Sequence, residues 1–382
     1  MTENEKIRIC IVGAGTRFLG GISYYTIHLV NALARHNNVS VILMRKLLPT
    51  RLYPGWKRVG ASLTSLEFDP AVRVFDGVDW YWLPSMLRAL LFLLRERPDV
   101  VVFQWWSGTV LHSYLLLALV ARMLGARIVI EFHEVQDPGE AKLPLAHVYV
   151  RLVVPLLVRL ARGFVIHSEY DRKLLQSHYD LEQRPAALIP HGPYNHFQSV
   201  GEQERRIAPE SCCNLLFFGL IRPYKGLEDL VIAFDSLPES EIDRYWVTIV
   251  GETWEGCTLP ASLIERSRYR DRITFVNRYV SDVEVSKFFS EADAVVFPYH
   301  RSSSSGPLHI AMSCGLPVVV TRVGGLIEAV AGYDGAIVAS PGDPAALRDA
   351  LLKVAELRGK QFVDPNSWEY TVARYDELFD AL

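Results

Sequence analysis

Short apolar runs alternate along this chain with stretches whose apolar residues recur at helical spacing. In the first half the runs cover residues 7–13, 39–44, 100–104, 128–132, 163–167 and 187–189, and helix-like patterns separate most of them. The opening run, IRICIVG, passes through the loop AGTRFLGG into ISYYTIHLVNALAR, where Ile22, Tyr25, Leu29 and Leu33 share one helical face. Strands apolar on both faces, with helices between them, predict a parallel sheet covered on both sides and ligands bound beyond the strand C-terminal ends. Residues 197–211 (FQSVGEQERRIAPES) are polar and weakly patterned and read as a linker. A second series follows at 214–219, 246–251, 273–277, 294–297, 317–321 and 336–339, and helical stretches at 343–357 and 368–382 close the chain. The pattern predicts an α/β protein of two Rossmann-like, doubly wound parallel-sheet domains, 1–197 and 198–367.

Composition agrees with two cores. The chain has 382 residues, half of them apolar and 22% charged, more than one ordinary domain holds. Residues 1–6 are polar and pass straight into the first strand, unlike a signal peptide, so the expected compartment is the cytoplasm. The five cysteines, Cys10, Cys212, Cys213, Cys257 and Cys314, have no metal-ligand spacing and are read as reduced and structural. Charge changes the picture slightly: residues 1–197 carry 22 Lys+Arg against 16 Asp+Glu, and residues 198–382 carry 18 against 27. The basic half also holds three unusually apolar helical stretches, 84–98, 110–125 and 148–163. None supplies the roughly twenty apolar residues of a membrane span. Arg88, Arg95 and Arg97 beside a leucine-rich face suit a membrane-surface helix, and ordinary helices covering a sheet look much the same.

Candidate chemistry lies in three places. Gly13 and Gly15 fit part of a dinucleotide fingerprint, but Phe18 stands in place of the third glycine, and Arg45 and Lys46 stand where an acidic residue should end the second strand. The pair Gly20 and Gly21, just before a helix, remains a place where backbone could meet a phosphate or a sugar. In the second half, RSSSSGPLHIAMSCG (301–315) reads as a loop entering a helix that ends at Gly315. Its serines and glycine either bring hydroxyls and N–H groups to an anion at the positive helix end or simply cap the helix. Gly324 and Gly325, after the next strand, are expected to form a turn close to a ligand. Arg222 and Lys225 follow the first strand of the second series, as a planar fork and a compact charge, where a diphosphate would need neutralising.

Taken in order, GGISYYTIHLVNALA, EFHE at 131–134, VIHSEYDRKLL, LIPHGPYNHF, FFGLIRPYKGLEDLVIAF, VSDVEVSKFFSEADAVVFPY, AMSCGLPVVVTRVGGLIEAV and SWEYTVARYDELF resemble glycosyltransferase family 4. These are retaining nucleotide-sugar transferases of the two-domain GT-B type, and the resemblance covers nearly the whole chain. It implies two Rossmann-like domains facing a central cleft, the first for the acceptor and the second for the donor, with the closing helix at about 368–382 packed back on the first. It implies that Arg222 and Lys225 neutralise the donor diphosphate, that Gly20 and Gly21 lie near the phosphates, and that His133 lies near the transferred sugar. Ser304, Ser305, Gly306, Pro307, Leu308 and His309 are expected at the diphosphate or sugar, and Gly324, Gly325 and Glu328 on the nucleotide side. No Asp-x-Asp motif occurs, so no metal and no cofactor are expected at the diphosphate. One departure stands out: the family's paired glutamates align with Ser302 and Ile310, and both carboxylates are gone.

The expected activity is retaining transfer of a sugar from a nucleoside-diphosphate sugar to a hydroxyl, on a lipid-linked saccharide or polysaccharide precursor at the inner membrane face. The rival expectation is a non-catalytic subunit that keeps the fold and binds a sugar nucleotide or a partner transferase. An epimerase or a sugar phosphorylase on the same fold is a third. No nucleic-acid partner is expected.

Overall fold

The computed structural model describes residues 6–15, 21–46, 66–79, 83–135, 144–198, 207–254 and 257–382. Gly20, one of the candidate residues, lies outside them. The chain divides into two compact units, Met1–Gly192 with Asn366–Leu382, and Pro193–Pro365.

The first unit runs β1 (Arg8–Ala14), α1 (Gly21–Ala34), β2 (Asn38–Lys46), β3 (Arg73–Asp79), α2 (Leu83–Glu96), β4 (Val100–Trp105), α3 (Leu111–Met123), β5 (Arg127–Phe132), α4 (Pro144–Leu160), β6 (Gly163–Ile166), α5 (Glu169–His178) and β7 (Ala186–Leu188). Its seven parallel strands lie in the order β3-β2-β1-β4-β5-β6-β7. Ile11 of β1 sits between Val41 and Val102, and all three are fully buried. Packing of this kind contributes about 1.5–3 kcal/mol per buried aliphatic side chain, which is why the continuous apolar runs announce themselves so clearly.

β3 is the strand that the apolar pattern misses. Its sequence, RVFDGVD, carries a glycine and two aspartates, and only its last two residues are buried, because it forms the edge of the sheet. An edge strand has only one neighbour to satisfy, so its sequence need not be apolar on both faces.

The second unit continues with β8 (Cys213–Phe218), α6 (Leu227–Asp235), β9 (Tyr245–Val250), α7 (Leu259–Arg266), β10 (Ile273–Val276), α8 (Asp282–Ser290), β11 (Ala294–Phe297), α9 (Gly306–Ser313), β12 (Val318–Thr321), α10 (Gly324–Ala329), β13 (Ala336–Ala339) and α11 (Pro344–Ala355). The sheet is again parallel, in the order β10-β9-β8-β11-β12-β13. All six expected strands are found. Two details differ from expectation. Gly324 and Gly325 do not form a turn of their own but open α10, with Gly324 at φ +45°. The boundary between units falls at Gly192/Pro193 rather than after residue 197. The cause is local: the Tyr194 N–H donates to Ser313 Oγ (2.8 Å), Gln198 Nε2 donates to Ser313 O, and Phe197 is buried, so 193–198 is tied to the second unit.

The closing helix α12 (Trp368–Asp380) belongs to the first unit. Ser367 caps it by accepting from Tyr370 N (3.1 Å). Trp368 stacks on His28 of α1 (ring centroids 5.5 Å apart) and approaches Gly192 so closely that a Cβ there would lie 2.5 Å from the indole. Further along, Arg127 donates to Phe379 O (2.7 Å) and Tyr375 reaches the sheet. All five cysteines are free thiols, and burial pushes Cys10 up to about 12 and Cys314 up to about 11. Both stay protonated and unreactive at neutral pH.

Candidate active site

In the second unit the strand order reverses between β8 and β11, the position at which parallel α/β sheets bind ligands. The loop leaving β8 carries both predicted cations. Gly219 turns it at φ +116°, and Arg222 then precedes a single 3-10 turn, Pro223–Lys225, that stops at the left-handed Gly226 before α6 begins. Arg222 lies with its guanidinium carbon 4.4 Å from the Trp254 ring centre, and its Nε is buried without a hydrogen-bond partner among the described residues. Lys225 Nζ sits 5.2 Å from the Tyr299 ring centre. A Cβ on Gly219 would lie 2.8 Å from Lys225 Nζ and 3.5 Å from Pro307 Cγ, which places the ammonium beside the N-terminus of α9. Burial, together with the neighbouring Arg222 charge, lowers Lys225 from the usual lysine value. Among the described residues neither cation forms a salt bridge. Two neighbouring cations without a salt bridge among the described residues, one of them beside a helix N-terminus, make an anion site of the kind a diphosphate fits.

The loop is held from the far side. His300 N donates to Tyr224 O (2.7 Å), the His300 ring meets Asp229 Oδ2 (2.7 Å), and the Arg301 guanidinium lies 4.9 Å from the Tyr224 ring centre. Tyr299 links the cations to the serine loop, its hydroxyl lying 3.5 Å from Ser305 Oγ.

The serine loop is more engaged than the sequence suggested. Ser302 Oγ donates to Ser304 O (2.9 Å), and Ser302 O accepts from Gly325 N (3.0 Å), so the Gly325 N–H is not open to a ligand. Leu308 N and His309 N both donate to Ser305 O, and both side chains are buried, at 0% and 3% exposure. Of the residues expected to meet the diphosphate, this leaves Ser304, Gly306 and Pro307 half-buried, while Ser305 is buried with its hydroxyl toward Tyr299. Ile310 is buried at 5% exposure, as its apolar side chain requires. Glu328 is half-buried on α10, joined to the serine loop through the Gly325–Ser302 bond.

In the first unit the strand order reverses between β1 and β4. Here Gly13 has a structural role: a Cβ on it would lie 2.1 Å from Gln104 Oε1, so its hydrogen makes room for that amide. Thr26 Oγ1 donates to Gln104 Oε1 (2.6 Å), which orients the amide so that Nε2 donates to Glu131 Oε2 (3.0 Å). Glu131 is fully buried and its Oε1 accepts from Tyr375 of α12 (2.6 Å). His133 follows it at the end of β5. The His133 N–H donates to Trp105 O (2.9 Å), while its Nε2 turns inward to within 3.7 Å of Glu131 Oε1. His167, just past β6, places its own Nε2 3.5 Å from the same oxygen. His191 completes the group, its ring centre 4.3 Å from that of His167. The Tyr25 ring packs against all three histidines. Burial by itself would push the Glu131 carboxyl up, but the facing His133, His167 and Tyr25 outweigh it and hold it at about 2, so it is an anion. Burial lowers His167 to about 4.

The fold places Lys225 beside the start of α9 and Arg222 in the same loop, and adds neighbours that the sequence did not single out: Trp254, Tyr299, Glu131, His167 and His191. The histidines left a trace: three apolar runs, 128–132, 163–167 and 187–189, end at or just before a histidine.

The comparisons agree with this architecture. Residues 19–193 match the family described as Glycosyltransferase Family 4 and residues 212–356 match the one described as Glycosyl transferases group 1. A GDP-mannose:glycolipid 4-beta-D-mannosyltransferase of Xanthomonas campestris pv. campestris is 33% identical over 250 residues, 62% of this chain and 66% of that protein. A D-inositol 3-phosphate glycosyltransferase of Segniliparus rotundus is 26% identical over 335 residues, 83% of this chain and 72% of that protein. Among solved structures, Anabaena HepE in complex with UDP and glucose superposes with a TM-score of 0.66 at 15% identity, covering 98% of this chain and all of that one. Likeness at that identity speaks for the fold alone. With the two parallel-sheet units and matches spanning both, the chain belongs to the group 1, family 4 glycosyltransferases of GT-B fold and is a sugar-transferring enzyme.

Proposed function

We propose that this glycosyltransferase takes its sugar from a nucleoside-diphosphate sugar bound to the second unit and transfers it, with retention, to a hydroxyl of a lipid-linked saccharide bound to the first. The observation that carries the donor reading is the neighbouring Arg222 and Lys225, neither in a salt bridge among the described residues, with Lys225 beside the N-terminus of α9. As the bond from the sugar to the diphosphate breaks, negative charge grows on the leaving oxygen, and cations already in position stabilise it without reorganising. No carboxylate stands beside them in the role of a nucleophile among the described residues. The reading is therefore front-face departure: the diphosphate leaves with the bonding electrons, and the acceptor oxygen bonds to the anomeric carbon on the same face. Its proton passes to the departing phosphate oxygen. No metal is assigned to the diphosphate, since the two cations already supply that charge. His133 stays the family-derived candidate for the sugar, and since its Nε2 faces Glu131, it would present its other edge. Glu328 takes the ribose in place of the carboxylate that Ile310 lacks.

A thermal-shift series with UDP, GDP, ADP and TDP and their common sugars tests the donor reading. At a ligand concentration 100 times Kd, binding adds about 2.7 kcal/mol, on the order of 5–10 °C for a domain of this size. The expected result is a shift selective for one base that disappears in Arg222→Ala and Lys225→Ala. A shift that survives in both variants would remove the cations from the donor site.

The acceptor reading rests on the surface of α2, α3 and α4, with α3 packed between the other two. Leu83, Leu87, Leu91 and Leu94 form one exposed stripe on α2, Leu116, Leu119 and Met123 stand exposed on α3, and Val148, Leu152 and Leu156 on α4. Exposed Arg88, Arg95, Arg122, Arg151 and Arg159 lie among them. Leucine stripes edged with arginine suit an anionic lipid surface, and no helix among the described residues is long and apolar enough to cross a membrane. Co-sedimentation with vesicles containing phosphatidylglycerol is expected to pull the protein down, and Leu87→Glu with Leu91→Glu to release it by about tenfold or more. Equal sedimentation of wild type and variant would leave the lipid-linked acceptor without support.

A further inference from the structure

Glu131, His167 and His191 take no part in the donor chemistry above, yet His133, His167 and His191 gather in one place and Glu131 lies against two of them. We propose that His133, His167 and His191, with the Glu131 carboxylate, bind one divalent transition-metal ion of the zinc class. The inference goes beyond the proposed reaction and does not depend on it.

The geometry is that of a preformed ligand set. The three histidines come from just beyond the ends of β5, β6 and β7, which are neighbours in the sheet, and their ligand atoms all lie within 4.8 Å of one another. The Nε2 atoms of His167 and His133 stand 3.5 and 3.7 Å from Glu131 Oε1, close to the roughly 3.4 Å edge of a tetrahedron whose metal–ligand bonds are about 2.1 Å.

The tautomer is set as well. His167 Nδ1 bonds to Ile189 O at 2.8 Å, a contact only an N–H can make to a carbonyl. That leaves Nε2, which faces Glu131 Oε1, as the ring nitrogen available to a metal. The side chains of His167 and His133 are 3% and 8% exposed, and neither Nε2 has a hydrogen-bond partner among the described residues. A dication set between the two Nε2 atoms and Glu131 Oε1 would give all three a partner at once.

The outer contacts point the same way. Tyr375 and Gln104 each donate to one oxygen of Glu131, and Thr26 fixes Gln104 in turn. Hydrogen bonds of this kind orient ligating carboxylates, and carbonyls acting on the distal nitrogen orient ligating histidines. No lysine or arginine among the described residues pairs with Glu131. Imidazoles with one carboxylate suit zinc and its first-row neighbours, not the all-oxygen shells of magnesium or calcium. The bound ion would clasp the ends of three strands and, through Tyr375, the helix α12.

The test uses the full chain without a histidine tag, stripped with a chelator and titrated with zinc chloride, with bound metal counted by elemental analysis. One ion per chain is expected, with a raised unfolding temperature, and cobalt(II) in its place should give the intense visible bands of a tetrahedral site. His167→Ala and His191→Ala are expected to lose the ion, and exposed His178→Ala to keep it. Tyr375→Phe, which removes a single hydroxyl and leaves the packing, should weaken binding about 10–100-fold. The proposal is overturned if the wild type holds no stoichiometric zinc at micromolar free metal, or if its cobalt spectrum is octahedral. It is equally overturned if folded histidine variants bind as the wild type does. Should those variants fail to fold, the wild-type cobalt spectrum and Tyr375→Phe still decide, and no readout passes through sugar transfer.

Discussion

Arg222→Ala and Lys225→Ala are each expected to lower kcat/KM for sugar transfer by about 10²–10³-fold, some 3–4 kcal/mol of transition-state stabilisation. The size follows from their unpaired state. Because neither cation forms a salt bridge among the described residues, its removal strands no buried counter-charge, and folding stability should change little. The loss should fall mainly on kcat, since the charge that the cations meet is largest as the diphosphate departs. Conservative exchange should not restore activity. Arg222 lies over the Trp254 ring, 4.4 Å away, where a planar guanidinium stacks and an ammonium does not. Lys225 Nζ lies so close to Gly219 that an added Cβ there would stand 2.8 Å from it, so the larger guanidinium of an arginine would have to displace its neighbours. Steady-state kinetics with the donor found in the thermal-shift series, beside urea denaturation of the same variants, give both numbers. Wild-type kcat/KM in either alanine variant would take that residue out of the mechanism.

Gly226→Ala is expected to destabilise the second unit by about 2–5 kcal/mol and to abolish activity along with it. Gly226 adopts φ +60°, which costs a side-chain-bearing residue about 1–2 kcal/mol. Space is the larger problem: an added Cβ would lie 2.0 Å from Pro298 O and 3.1 Å from His300 Nε2. The first of these is backbone, so the Lys225 loop and the chain entering the serine loop must move apart, a repacking worth a further 1–3 kcal/mol or so. Gly342→Ala separates the two terms. Gly342 has a similar φ of +64° with nothing within 4 Å of an added Cβ, so it should lose only about 1–2 kcal/mol. Urea midpoints of the two variants, measured together, decide the matter. If they shift equally, the close approach of Gly226 to Pro298 does not constrain the site.

The elements legible in the sequence are those whose burial is dictated by the local pattern. β4, β8, β11 and β12 are continuous apolar runs because helices cover both faces of their sheets, and the pattern places each to within a residue or two. Arg222 and Lys225 are legible for a related reason, since two side chains in one short loop after one strand must share an edge whatever the rest of the chain does. β3 is not, because an edge strand with one partner carries a mixed pattern. The serine loop lies between: its position beside a helix N-terminus follows from composition, but which N–H groups remain for a ligand depends on Gly325 meeting Ser302.

The cluster in the first unit needed the tertiary structure. His133, His167 and His191 lie in separate loops, and nothing in their spacing says that β5, β6 and β7 are adjacent. Tyr375 meets Glu131 across 244 residues of sequence, because α12 returns to a unit that the chain had left at Gly192. Periodicity and side-chain type act over a few residues, so they determine strands, helices and single-loop sites. Convergence of distant side chains is set by strand order and by where the last helix finds its apolar partner, and those are properties of the folded chain.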